Sequence, residues 1–131
     1  MKKYTLTIAL LFISRVSYGE PIYLDCYVAD EEERQEFTVK VDEETGKINH
    51  TRKRGSGFNA DGFFASNEIT YQEIVVIGRS TSTRQFRINR TNLSIKETIT
   101  LEAIGTSSYI GPRIVKYSGT CKIVEVKDRK I

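Results

Sequence analysis

Apolar side chains recur at every second position along nearly the whole of this 131-residue chain. A period of two is the mark of extended strands with one face turned inward. In "EFTVKVDEETGKINH", Phe37, Val39 and Val41 alternate with Thr38, Lys40 and Asp42, the chain turns through "EETG", and the pattern resumes at Ile48. Gly46 supplies the positive φ that such a turn needs. "RQFRINRTNLSIKET" repeats the design: Phe86 and Ile88 alternate with Arg87 and Asn89, "RTN" turns the chain, and Leu93 and Ile95 continue. The two hairpins read either as an internal duplication or as two independent solutions to one turn problem.

Further strands follow. Ile22, Leu24, Cys26 and Val28 share one face of "PIYLDCYV", and "GFFASNEITYQ" carries Phe63 or Phe64 inward, then Ile69 and Tyr71. The continuous apolar run "EIVVIGR" predicts a strand in the middle of the sheet, covered on both sides. "TITLEAI" and "IVKYSGTCKIVEV" complete the set. The acidic "VADEEERQEF" suits either the start of a short helix or an exposed loop. With turn signals between so many short strands, the expectation is one all-β domain over residues 20–131, a single antiparallel β-barrel or barrel-like sandwich of about eight short strands.

The first nineteen residues stand apart. Lys2 and Lys3 precede a short apolar run from Thr5 to Ile13, and Ser17 and Gly19 are small residues placed for a cut before Glu20. That is the layout of a secretory signal peptide, and the apolar run is shorter than the ~20 residues of a membrane span. The expected location is periplasmic or secreted, with no stable membrane span in the mature chain. In an oxidising compartment two cysteines usually pair, and Cys26 and Cys121 offer one intramolecular connectivity. Two separate buried thiols are the plainer alternative. With a single histidine, His50, they fall short of the four ligands of a structural metal site, so neither metal nor cofactor is expected.

Charge narrows the partners. The chain has 20 basic and 17 acidic residues, and loss of Lys2, Lys3 and Arg15 with the signal would leave the mature chain neutral. No global basic excess then remains to attract nucleic acid. The charges are unevenly spread: residues 20–44 are strongly acidic and residues 47–131 strongly basic. Neutralisation across paired strands is the expected use of this split, ahead of two faces of opposite sign.

The most distinctive loop signal is "HTRKRGSGFNADG", His50 to Gly62, where bases lead into glycines. It lacks the order of a P-loop, in which glycines precede a Lys-Ser/Thr pair. Asn59, Asp61 and Gly62 form only a fragment of a calcium loop. His50 has no acid close in sequence to orient it as a catalytic base, and the carboxylates Glu68 and Glu73 read as exposed strand charges. The candidate partner-binding residues are therefore Arg52, Lys53, Arg54, Ser56 and Phe58, together with Tyr109 in the loop "GTSSYIGP". No catalytic residue is expected.

The strand-turn "INRT", Ile88 to Thr91, followed by the closing "GTC", Gly119 to Cys121, resembles small exported bacterial and phage proteins of unknown function. The placement of the cysteines near the two ends is also similar to small β-barrel lysozyme inhibitors, whose "SGSGxxY" loop enters the lysozyme cleft. Gly55, Ser56 and Gly57 match that loop, whereas the tyrosine has no counterpart here. What these features imply is a non-enzymatic binding or inhibitor module of the cell envelope, contacting a protein partner through loops at one end. A carrier with an apolar ligand in the barrel interior is the alternative.

Overall fold

A computed structural model of the chain describes residues 20–103 and 112–124. Nine strands account for most of them: β1 (Ile22–Ala29), β2 (Arg34–Asp42), β3 (Lys47–Arg52), β4 (Gly57–Asp61), β5 (Phe63–Phe64), β6 (Glu68–Ile77), β7 (Ser80–Asn89), β8 (Ser94–Ala103) and β9 (Arg113–Val124). They form one sheet in the order β4-β3-β2-β1-β9-β8-β7-β6-β5, antiparallel throughout, which curls into a nearly closed barrel. The expected all-β barrel is what the chain folds into. Neighbours in sequence are neighbours in space, and the first and last strands pair with each other in the middle of the sheet. The seam lies between β4 and β5, which pair with β3 and β6 respectively. Gly62 carries the chain across that seam, its amide donating to the Gly46 carbonyl at 2.8 Å.

The two hairpins share one turn geometry. Asp42 and Asn89 each open a four-residue connection, and their side-chain oxygens accept backbone amides inside the turn. The fifth residue lies at positive φ in both: Gly46 at 75° and Leu93 at 62°. Glycine takes that conformation without cost, whereas a leucine there is held by its surroundings. Leu93 packs its side chain on the core, and its carbonyl accepts the amide of Cys121 at 2.8 Å.

Inward-facing positions alternate as the sequence predicts. Leu24, Val28, Phe37, Val39, Val41, Ile48, Ile69, Tyr71, Phe86, Ile88 and Ile95 are buried. Cys26 and Cys121 face each other in register across β1 and β9 and form the expected disulfide, with an S–S distance of 2.10 Å. The bridge closes a loop of 95 residues, worth ~4–5 kcal/mol by unfolded-state entropy alone.

Two expectations are corrected and two open readings are resolved. The apolar run in β6 is not central: Ile74, Val76 and Ile77 are exposed. Among the described residues β6 has a hydrogen-bonded neighbour on its second side only at Ile69 and Thr70, and from Ile74 onward the strand projects into solvent beside β7. Of the two readings of the acidic stretch the exposed loop holds: Asp30 folds back on a tight turn, accepting the amides of Glu32 and Glu33. The His50–Gly62 stretch comprises the end of β3, a turn over residues 53–56, and β4. The charged halves also neutralise each other little. Of the ion pairs among the described residues, Lys53–Glu36 and Arg90–Glu43 join the acidic segment to the basic one, while Lys47–Asp61, Arg52–Glu73, Arg84–Glu97 and Arg87–Glu68 lie within the basic segment.

Gly119, opposite Val28 in β1 and Ile95 in β8, sits where the β1 backbone comes close: a Cβ there would run into the carbonyl of Tyr27. Backbone is poor at making room. Gly119→Ala should therefore cost at least about 2 kcal/mol, the scale of overpacking in a filled interior. Urea unfolding of the disulfide-bonded protein measures it, and an unchanged midpoint would show that the strands can separate locally.

Candidate functional site

The barrel has two unlike mouths. One carries the β1–β2 and β3–β4 turns. Here strand alternation, continued past the apolar layers, brings polar groups inward. On β3 the sequence Ile48-x-His50-x-Arg52 places an imidazole and then a guanidinium above the core. On β8 the alternation Ile95-x-Glu97-x-Ile99 places a carboxylate among hydrocarbon. Glu73 on β6 and Arg84 on β7 share the same inward parity.

His50 closes the polar layer on its own half of the barrel. Its ring is sandwiched by Phe37, with centroids 4.2 Å apart, and Phe58, at 4.8 Å. Nδ1 shares a 2.8 Å hydrogen bond with the hydroxyl of Tyr71, which itself stacks on Phe86. These five rings fill the middle of the barrel. Burial, aided by the charges of Arg52 and Arg84, lowers the His50 pKa to about 3, so the imidazole is neutral. Burial likewise raises the Tyr71 phenol well above its usual range.

Arg52 is held on three sides. Nη2 bonds Glu73 Oε1 at 2.7 Å, Nη1 donates to the Ser56 carbonyl at 3.0 Å, and the guanidinium lies 5.4 Å from the centre of the Phe58 ring. Lys53 bonds Glu36 at 3.2 Å, which, with Arg34 close by, lowers the Glu36 pKa. Arg34 also lies 3.8 Å over the Tyr27 ring. Arg54 is exposed and makes no ion pair among the described residues.

Glu97 is the unusual member. It is 1% exposed, yet one carboxylate oxygen receives a single N–H of Arg84 at 3.3 Å and the other, Oε1, accepts nothing among the described residues. Burial raises its pKa, against the opposing pull of Arg84.

The sequence-predicted residues thus divide. Arg52, Lys53, Arg54 and Ser56 gather at this mouth. Phe58 turns its ring into the barrel as part of the aromatic filling. Tyr109 lies outside the described residues, as does the segment 1–19. Asn59 and Asp61 sit on β4, bonded to Asn49 and Lys47, and no group of three metal-ligating side chains occurs among the described residues. Glu68 and Glu73 lie on opposite faces of β6: Glu68 is bound by Arg87, and Glu73 is not an exposed strand charge but a largely buried partner of Arg52. Sequence reasoning passed over Arg34, Arg84 and Glu97. The signal for Glu97 was present, since a carboxylate at an inward position of an alternating strand requires a partner.

The opposite mouth is apolar. A cavity of about 580 Å³ opens there between Ile22, Leu24, Val41, Ile69, Ile88 and Leu93, with Glu43, Glu44 and Arg90 at its rim.

Protein-family models, curated proteins and solved structures all yield no match to this chain.

The buried imidazole makes a pH prediction. Below pH 6.5 the unfolded chain takes up a proton on His50 that the folded chain refuses until about pH 3. The stability this residue supplies is therefore full above pH 6.5 and is lost as the pH falls toward 3, by up to ~1.4 kcal/mol per unit. Glu97, with its pKa raised, acts in the reverse sense: its contribution is present at low pH and lost as the pH rises through its folded-state pKa. Urea midpoints measured between pH 4 and pH 7 should fall toward acid in the parent and fall less in His50→Gln. Parallel curves would show that the imidazole is protonated inside the fold.

Proposed function

We propose that the protein is an exported, non-enzymatic binding module of the cell envelope that engages a protein partner through the mouth carrying the β1–β2 and β3–β4 turns. One observation carries this reading. The turns at one end of the barrel set the bases Arg52, Lys53 and Arg54 beside the acids Asp30, Glu31, Glu32 and Glu33 around an interior plugged by stacked rings, so recognition falls on a charged rim. A rim with basic and acidic turns side by side selects a partner of complementary charge pattern and makes its capture depend on salt. The Cys26–Cys121 bridge accords with an oxidising compartment. The Gly55-Ser56-Gly57 turn, which resembles the entry loop of small β-barrel lysozyme inhibitors, lies on the same mouth.

The test is capture from an envelope extract by the immobilised, disulfide-bonded protein. A partner should be retained at low salt, released by salt, and lost with Lys53→Glu combined with Arg54→Glu, two exposed side chains whose replacement leaves the core intact. Retention by that double variant equal to the parent's would defeat the proposal.

The apolar mouth supports a second reading, a carrier for a small apolar ligand. Its volume lies within the ~300–1,000 Å³ of small-molecule pockets, and its walls are aliphatic. A polarity-sensitive naphthalene dye should then bind one site and be displaced by Ile123→Asp, a change at an exposed lining residue. Dye binding that ignores this substitution would remove the carrier reading.

A further inference from the structure

Inside the mouth carrying the β1–β2 and β3–β4 turns lies a cavity of about 520 Å³, whose lining has more bases than acids and includes Glu36, Arg52, Arg54, Arg84 and Glu97. Its polar groups are unevenly satisfied. Arg52 has its charge paired with Glu73 and a second N–H given to the Ser56 carbonyl. Arg84, about one-third exposed, spends one of its five N–H donors on Glu97 among the described residues, and Arg54 makes no ion pair there. Two guanidinium groups therefore face the cavity with donors to spare, in the fork geometry that suits a carboxylate. Glu97 Oε1 is buried without a hydrogen bond, and a buried polar oxygen left unmatched is costly and uncommon.

We infer that this cavity binds a small hydroxylated carboxylate, the chemistry of a sugar acid, with its carboxylate on Arg84 and Arg54 and a hydroxyl group against Glu97 Oε1. Each alternative leaves part of the lining unanswered. A neutral sugar offers the arginines no charge. A bare dicarboxylate offers Glu97 no donor, and a cationic ligand meets the arginines head-on. A hydroxyl group suits Glu97 in either protonation state, donating to the carboxylate or accepting from the acid. The site lies within the chain itself and does not require the protein partner proposed above. Failure to capture a partner leaves it standing, and its own failure leaves partner capture standing.

The experiment is calorimetric titration of the disulfide-bonded protein with D-glucuronate, D-glucose, succinate and tetraglutamate. Glucuronate should bind, and glucose and succinate should each bind about tenfold more weakly or worse, the loss expected for one charge-assisted or buried hydrogen bond. Arg84→Gln should weaken glucuronate by a similar factor. Glu97→Gln should weaken glucuronate while leaving succinate unchanged, a split that general loosening of the barrel would not produce. Arg54→Gln, at an exposed position, supplies the charge test if Arg84→Gln does not fold by far-ultraviolet circular dichroism. A glucuronate-containing tetrasaccharide that binds more tightly than the monosaccharide assigns the site to a polymer, and one that binds no better assigns it to the free acid; both support the site. Equal binding of glucose and glucuronate, binding of tetraglutamate without glucuronate, no binding of glucuronate, or unaltered glucuronate binding by the arginine variants would overturn it.

Discussion

The pairing of β1 with β9 is the contact on which the rest of this barrel depends. Every other neighbouring pair in the sheet is consecutive in sequence, with at most nine residues between its strands, so its closure entropy is small. β1 and β9 lie at opposite ends of the described chain, and their register brings Cys26 directly against Cys121. The covalent bond turns the most distant pairing in the fold into a fixed one. It also anchors a local network. The Cys121 amide donates to Leu93, which holds the β7–β8 turn in its positive-φ conformation, and Gly119, two residues upstream, lets the β1 backbone close in. Disulfide, left-handed leucine and bare glycine thus act as one closure.

Closure of that kind leaves the interior little choice. A small barrel is wide enough for side chains to fill, and this one is filled at mid-height by Phe37, His50, Phe58, Tyr71 and Phe86. The plug separates the two mouths physically and chemically. Aliphatic alternation runs out into a hydrophobic hollow at one end. At the other, alternation continues into His50, Arg52, Glu73, Arg84 and Glu97, and polar groups must satisfy one another in a confined space. A ligand or partner therefore approaches one end or the other, not the centre.

Alternation made most of the fold legible in advance. The inward set of β1, β2, β7 and the start of β8, the two hairpin turns and the disulfide all follow from period two, turn residues and cysteine number. The apolar run of β6 was misread because periodicity is silent about neighbours: "EIVVIGR" looks the same whether a strand is sandwiched or projects beyond the edge of its sheet. The charged mouth was half legible. Arg52, Lys53 and Arg54 are contiguous in sequence and announce themselves, whereas Arg34, Arg84 and Glu97 come from three other strands and meet only through register. Charge segregation by segment also misled, because pairing partners are set by strand order, which keeps Arg52, Arg84 and Arg87 beside acids of their own segment.

The matched hairpins sharpen the meaning of Glu97. Counting from the turn caps, His50 lies eight positions after Asp42, and Glu97 lies eight positions after Asn89. The two hairpins have the same turn length and the same left-handed fifth residue, so the two polar side chains stand at corresponding places in the two halves of the barrel. In one half the polar group is neutral, stacked between two phenylalanines and bonded through Nδ1 to Tyr71. In the other it is a carboxylate with one long bond to a partly exposed arginine and one oxygen unmatched. Turn geometry imposes an inward position at both places but dictates the residue at neither. If packing alone governed these sites, a second enclosed, self-satisfied group would serve as well as the first. The half that departs from that solution opens on the cationic cavity, which makes the departure a property of the mouth and not of the core.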